Sequence, residues 1–184
     1  MKNILLSLVA LFAASMTHGQ GTILWNEMAN GPLGSNSASA TLVGNLQLGT
    51  NSIIGAVDST PFEFGWIITE DYFRFQVPAG FQIEAASLTV QHQIIAWLGS
   101  ENFATEIGHV TTSSSQNILP FLSTQPLSFG GYGMYVSDDY FQSSSVAVPY
   151  RLDFVVAAIP EPSTWALFAL GSAGLWSFAR RRRK

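Results

Sequence analysis

Tyr72-Phe73-Arg74-Phe75-Gln76-Val77 alternates along its whole length, and Pro78-Ala79-Gly80 follows it at once. Successive side chains of an extended strand point to opposite faces, so Phe73, Phe75 and Val77 share one side while Tyr72, Arg74 and Gln76 share the other. One face is built for a core and one for the surface. The Pro-Ala-Gly turn sends the chain back through Phe81 to His92, where Phe81 and Ile83 lie on one face. Leu88, Val90 and His92 continue that face only if a bulge near Ala85-Ala86 shifts the register by one residue. Ile94 to Leu98 either extends this strand or starts the next.

The pattern remains β in both directions, with turn residues about every ten positions and no long segment of helical period before Pro160. A first strand is expected near Thr22 to Trp25, followed by a Gly-, Ser- and Asn-rich loop from Gly31 to Ser39. From Gly99 to Ser115 periodicity is lost, which reads as a long loop with one short strand at Ile107 to Thr111. Tyr132 to Val136 alternates again. Asp138-Asp139 and Gln142 to Ser145 form a polar connection, and Pro149 to Val156 makes a last strand with Tyr150, Leu152, Phe154 and Val156 on one face. Aromatic residues at these positions are expected in the core. No repeat of fixed period is visible, which excludes a propeller or solenoid. The fold class is therefore all-β: an antiparallel β-sandwich over residues 20–158.

Both ends carry targeting chemistry. Lys2 precedes the apolar run Ile4 to Ala14, and the small residues Thr17 and Gly19 place a signal cut between Gly19 and Gln20, so residues 1–19 read as a signal peptide. Ala13-Ala14-Ser15 offers the competing site. At the other end, residues 159–184 divide into Pro160, Glu161, Pro162, Ser163 and Thr164, an uncharged run over 164–179, and a basic tail over 180–184. The run would reach roughly 24 Å as a helix, slightly short of a ~30 Å hydrocarbon core. It is apolar on every side, with Trp165 and Trp176 near its ends, as in a single transmembrane helix. Arg180, Arg181, Arg182 and Arg183 then set the topology, since cations stay on the cytoplasmic side. The expected intermediate is an inner-membrane hairpin whose loop, about residues 20–159, is exported through the secretion translocon and trimmed by signal peptidase.

A Pro-Glu-Pro motif, one hydrophobic helix and an Arg-rich end resemble the PEP-CTERM sorting signal of exported bacterial proteins. The resemblance implies recognition by an exosortase that removes the tail near the motif, and delivery to the cell surface or an extracellular matrix of exopolysaccharide or biofilm. Pro160 and Pro162 hold the backbone extended and keep a helix from growing upstream. Glu161 would be presented as a lone carboxylate outside the membrane. Leu48-Gly49-Thr50-Asn51-Ser52-Ile53, Glu70-Asp71-Tyr72-Phe73-Arg74-Phe75-Gln76-Val77-Pro78-Ala79-Gly80, Gly130-Gly131-Tyr132 and Tyr150-Arg151-Leu152-Asp153-Phe154-Val155 are similar to the bacterial pre-peptidase C-terminal domain. That second resemblance implies a jelly-roll-like, non-catalytic accessory sandwich.

Charge narrows the function further. The formal charge of −4 hides an asymmetry, because only Arg74 and Arg151 of the eight basic residues lie between the two terminal segments. Eleven acids stand against them, so this part repels phosphate backbones and nucleic acid is excluded as a partner. There is no cysteine, and hence no disulfide framework or thiol chemistry. Serine is abundant, yet no Gly-x-Ser-x-Gly elbow occurs. A triad would have to combine a loop serine with His109 and Glu106, while His92 is expected on a strand. The adjacent pairs Glu70-Asp71 and Asp138-Asp139 read as turn acids whose members face opposite ways, so neither is a glycosidic dyad by itself. A cation such as Ca²⁺, which takes several oxygen ligands, could use such acids with Asp58 and loop carbonyls, although no Asp-x-Asp-x-Asp-Gly loop is present. No other metal or cofactor constellation appears, and catalysis is not expected. The expected function is that of a non-enzymatic exported protein associated with exopolysaccharide, the alternative being a carbohydrate- or calcium-binding module and, behind it, a secreted hydrolase.

Overall fold

The computed structural model describes residues 21–62, 65–138, 147–160 and 170–172. In chain order the strands are β1 (Thr22–Asn26), β2 (Thr41–Asn45), β3 (Gly49–Val57), β4 (Ser59–Phe62), β5 (Gly65–Ile68), β6 (Glu70–Val77), β7 (Phe81–Val90), β8 (Ile94–Ser100), β9 (Glu106–Thr112), β10 (Gln116–Asn117), β11 (Gly130–Asp138) and β12 (Val148–Ala158). Among the described residues two one-turn α-helices, α1 (Glu27–Asn30) and α2 (Leu119–Leu122), and a 3-10 turn (Ser37–Ser39) interrupt them. Five strands form each of two sheets, in the orders β1-β3-β12-β7-β10 and β2-β6-β11-β8-β9, and β4 and β5 make a separate hairpin. The all-β sandwich is thus as expected. It is not purely antiparallel, however, because β1 pairs with β3 and β2 pairs with β6 in parallel. Each parallel pair puts a short N-terminal segment on one edge of a sheet.

The alternation of Tyr72 to Val77 governs the core. Along β6, Asp71, Phe73, Phe75 and Val77 are buried and the residues between them are half-buried. Phe75 packs on Phe154 of the opposite sheet with ring centroids 4.9 Å apart. In β12, Tyr150, Leu152, Phe154 and Val156 all point inward. Gly80, at φ 82°, closes the 78–80 turn in a conformation that favours glycine. The register shift of β7 also occurs: Val155 pairs with Ala85 but Val156 with Ile83, so Glu84 is the extra residue. Ile83 and then Ala86, Leu88 and Val90 consequently all face the core.

Three local expectations are corrected. His92 lies beyond the end of β7 in an exposed bend, and Ile94 starts the new strand β8. The stretch from Gly99 to Ser115 is mostly a hairpin, with a tight 101–105 connection and a seven-residue β9. Glu70, Asp71 and Asp138 belong to strands rather than turns, and Asp138 is buried at the end of β11. Asp139 and the rest of the polar connection lie outside the described residues. The signal segment, with Gly19 and Gln20, lies outside them as well, as do residues 161–169 and 173–184. Among the described residues no helix is long and apolar enough to cross a membrane.

Candidate functional site

Cross-strand register gathers aromatic side chains on the outer face of the second sheet. Tyr72 on β6 sits opposite Tyr135 on β11, Tyr135 opposite Trp97 on β8, and Trp97 opposite His109 on β9. Four strands therefore contribute one transverse row. Tyr72 and Tyr135 stack at 5.1 Å between centroids, and Trp97 and Tyr135 at 5.5 Å. Phe103, from the β8–β9 connection, meets Tyr72 edge-on at 5.4 Å and runs nearly parallel to Trp97, at 16°. All four rings are half-buried, so part of each remains exposed.

The next positions along these strands explain how the rings are held. Gly99, Gly133 and Gly131 occupy the same face, and a Cβ on any of them would collide with a side chain laid across it. The far edge of the Trp97 indole lies over Gly99 and the Phe103 ring over Gly133. Over Gly131 lies the Glu101 carboxylate, which accepts a hydrogen bond from Gln76 Nε2 at 2.8 Å. Phe103 has a φ of 59° and is the only non-glycine residue with positive φ among the described residues. Such a backbone costs on the order of 1–3 kcal/mol. The fold accepts that strain where it sets a ring onto the row.

Polar groups rim the row and are already oriented. Tyr72 donates its phenol proton to Glu70 Oε2 at 2.8 Å, and Glu106 Oε1 is 2.6 Å from His109 Nδ1. Hydrogen bonds from His109 and Trp97 hold the Glu106 carboxyl below its usual range. Burial, with the Glu70 hydrogen bond and charge added, pushes the Tyr72 phenol up; burial, then the Glu70 and Glu106 charges, does the same for Tyr135. Both phenols stay protonated donors at physiological pH. Arg74 directs Nη2 to the Ala40 carbonyl at 3.0 Å, and its Nε is buried without a partner. The rim is therefore mainly anionic, with Glu70, Glu101 and Glu106 as its carboxylates.

A second group of acids converges elsewhere. Glu27, Asp58, Glu70 and Asp71 line one open cleft near α1. Glu27 is committed to the fold, since its two oxygens accept from the Leu33 and Ala56 amides at 2.8 Å each. Asp71 turns inward and accepts from Tyr150. Among the described residues no three carboxylates or histidines are arranged to hold a metal ion. The one pairing that a triad would need does form between His109 and Glu106, on an exposed strand. His109 Nδ1 is engaged by Glu106, and His92 lies in a separate exposed bend after β7.

The end of the sandwich decides how the chain is handled. β12 lies inside its sheet, bonded to β3 on one side and β7 on the other, and runs to Ala158. Ile159 donates its amide to the Gly80 carbonyl, and the exposed Pro160 follows. Residues 158–184 match the PEP-CTERM protein-sorting motif. The motif marks an exported protein sorted to the cell surface, with an exosortase as its processing partner. No curated protein matches the chain. Among solved structures, the 1.0 Å crystal structure of the pre-peptidase C-terminal domain of collagenase from Bacillus anthracis is similar at 12% identity. That likeness has a TM-score of 0.36 and covers 64% of this chain and 93% of the other.

The PEP-CTERM residues Glu161, Pro162, Ser163 and Thr164, and the Arg180, Arg181, Arg182 and Arg183 block, lie outside the described residues. Pro160 is placed, two residues past the last strand. Tyr135 and Trp97 carry no mark in the sequence of sharing a face with Tyr72, since that depends on the register between strands. The alternation already carried half of the signal, because it sets Tyr72 on the face opposite Phe73 and Phe75.

Proposed function

We propose that the chain is a non-enzymatic surface or extracellular-matrix protein whose tail is cut by an exosortase and whose sandwich associates with exopolysaccharide. It reaches the periplasmic side through the translocon, loses residues 1–19 to signal peptidase, and passes through an inner-membrane intermediate anchored by the 164–179 helix. The observation that carries this reading is the position of the PEP-CTERM motif directly after a central strand. A cut beyond Ala158 leaves every hydrogen bond of β12 to its neighbours in place. The sandwich can therefore be released or transferred whole, and the tail serves only delivery.

Glu161→Ala removes the lone carboxylate between the two prolines and is expected to leave an uncleaved form in the membrane fraction. A variant processed and located like the wild type would refute the assigned role of that carboxylate. The second reading is a carbohydrate-binding module, favoured by the half-exposed aromatic row. A calcium-binding role would have to use Asp58 and Glu70, and calorimetry with Ca²⁺ on the full chain in detergent tests it: no heat and no thermal shift would dismiss it.

A further inference from the structure

The geometry points to the outer face of the β6-β11-β8-β9 sheet as a binding site for an uncharged polysaccharide, with Tyr72, Tyr135, Trp97 and Phe103 as the stacking surface and Gln76 and Glu101 as hydrogen-bonding partners. It names the ligand class for the matrix association proposed above and rests on that reading only for where the glycan is met. Pyranose rings offer apolar C–H faces and a rim of hydroxyls, so they are held by aromatic rings flanked by planar polar groups. The row supplies both.

Several features fit a ligand better than a sealed surface. The rings are only half-buried, although sandwich domains usually keep the outer face polar. Three glycines let side chains lie against the sheet instead of standing off it. Phe103 is held in place by a strained backbone, which a purely solvated hairpin tip would not need. The polar partners are fixed before any ligand arrives, so little side-chain freedom remains to be lost on binding.

Charge selects among occupants. Glu70, Glu101 and Glu106 surround the row, and the nearby guanidinium of Arg74 is engaged with Ala40. A polyuronate or sulfated chain would meet like charge, whereas hydroxyls of a neutral chain can donate to these carboxylates. A second copy of this chain would bring the same three carboxylates against themselves. The occupant is therefore an uncharged glycan.

The test is retardation of the full chain, in detergent, on native gels containing a neutral β-glucan, a mannan, a galactan or polygalacturonate. At least one neutral polymer should retard the chain, and polygalacturonate should do so at least about tenfold more weakly. Trp97→Ala should weaken the neutral interaction by about tenfold or more. Gln76→Ala, a surface change that leaves the rings in place, should weaken it severalfold, and Phe129→Ala, at an exposed site outside the row, should leave it unchanged. The site is refuted if no neutral polymer retards the chain, if polygalacturonate binds as well, or if both Trp97→Ala and Gln76→Ala retain full binding. A concentration-dependent dimer broken by Trp97→Ala would instead make the row a self-association surface. None of these failures would affect tail processing, which is read separately by fractionation.

Discussion

The phenol of Tyr150 donates to Asp71 Oδ2 at 2.8 Å through the interior, joining β12 of one sheet to β6 of the other across 79 residues of sequence. Gly55, opposite Tyr150 on β3, leaves the room: a Cβ there would stand 2.6 Å from the phenol oxygen and 2.8 Å from Asp71 Oδ2. Both side chains are almost wholly buried. A polar tie between two apolar sheet faces is specific because both groups are largely withdrawn from water.

Tyr150→Phe keeps the ring and removes the donor, leaving a buried carboxyl without this partner. The expected loss is about 1–3 kcal/mol, the cost of an unsatisfied buried polar group. Urea unfolding of both proteins at pH 6 measures it. An unchanged midpoint would show that the tie does not contribute to stability.

The same pair makes stability depend on pH. Burial, only partly offset by the Tyr150 hydrogen bond and reinforced by the Glu27 charge, pushes the Asp71 carboxyl up from 3.8 to about 7. In the unfolded chain it ionises near pH 4, so between about pH 4 and pH 7 the unfolded state gives up its proton first. The favourable contribution is fully present below pH 4 and declines as pH rises through 7. For a shift of this size the total is about 4 kcal/mol. Unfolding of the wild type and Asp71→Asn from pH 3.5 to 8 should show the slope in the first and not in the second; parallel curves would contradict the assignment.

How much of this was legible follows from parity. Asp71 stands two residues before Phe73, and the alternation that buries Phe73 and Phe75 buries Asp71 as well, yet its acidity and position next to Glu70 made it look like a turn residue. Strand β9 was harder to read because it is an edge. Of its seven residues only Val110 and Thr112 are buried, too few for a periodic signal. The aromatic row depends on register between strands far apart in the chain, Tyr72 lying opposite Tyr135 and Tyr135 opposite Trp97, and periodicity within one strand cannot supply that. Within Ile94 to Leu98 every residue is apolar, so nothing local marks Trp97 as facing outward. The parallel pairings of β1 with β3 and of β2 with β6 are hidden because short edge segments carry no sign of direction.

Phe103→Gly separates strain from stacking. It removes two ring contacts and relieves a positive φ, effects of about 0.5–1.5 kcal/mol each and about 1–3 kcal/mol with opposite sign. Stability should stay within about 1 kcal/mol of the wild type by these magnitudes, while retardation by the neutral glycan weakens. A large loss of stability with unchanged binding would mean that the ring is structural.

The claim that the tail is a delivery signal is tested most directly by intact-mass analysis of the protein purified from exosortase-positive cells and from cells lacking the enzyme. The first should give a mature chain without Arg180, Arg181, Arg182, Arg183 and Lys184, and the second a tail-bearing membrane form. Lys184 retained on the protein from exosortase-positive cells would contradict it.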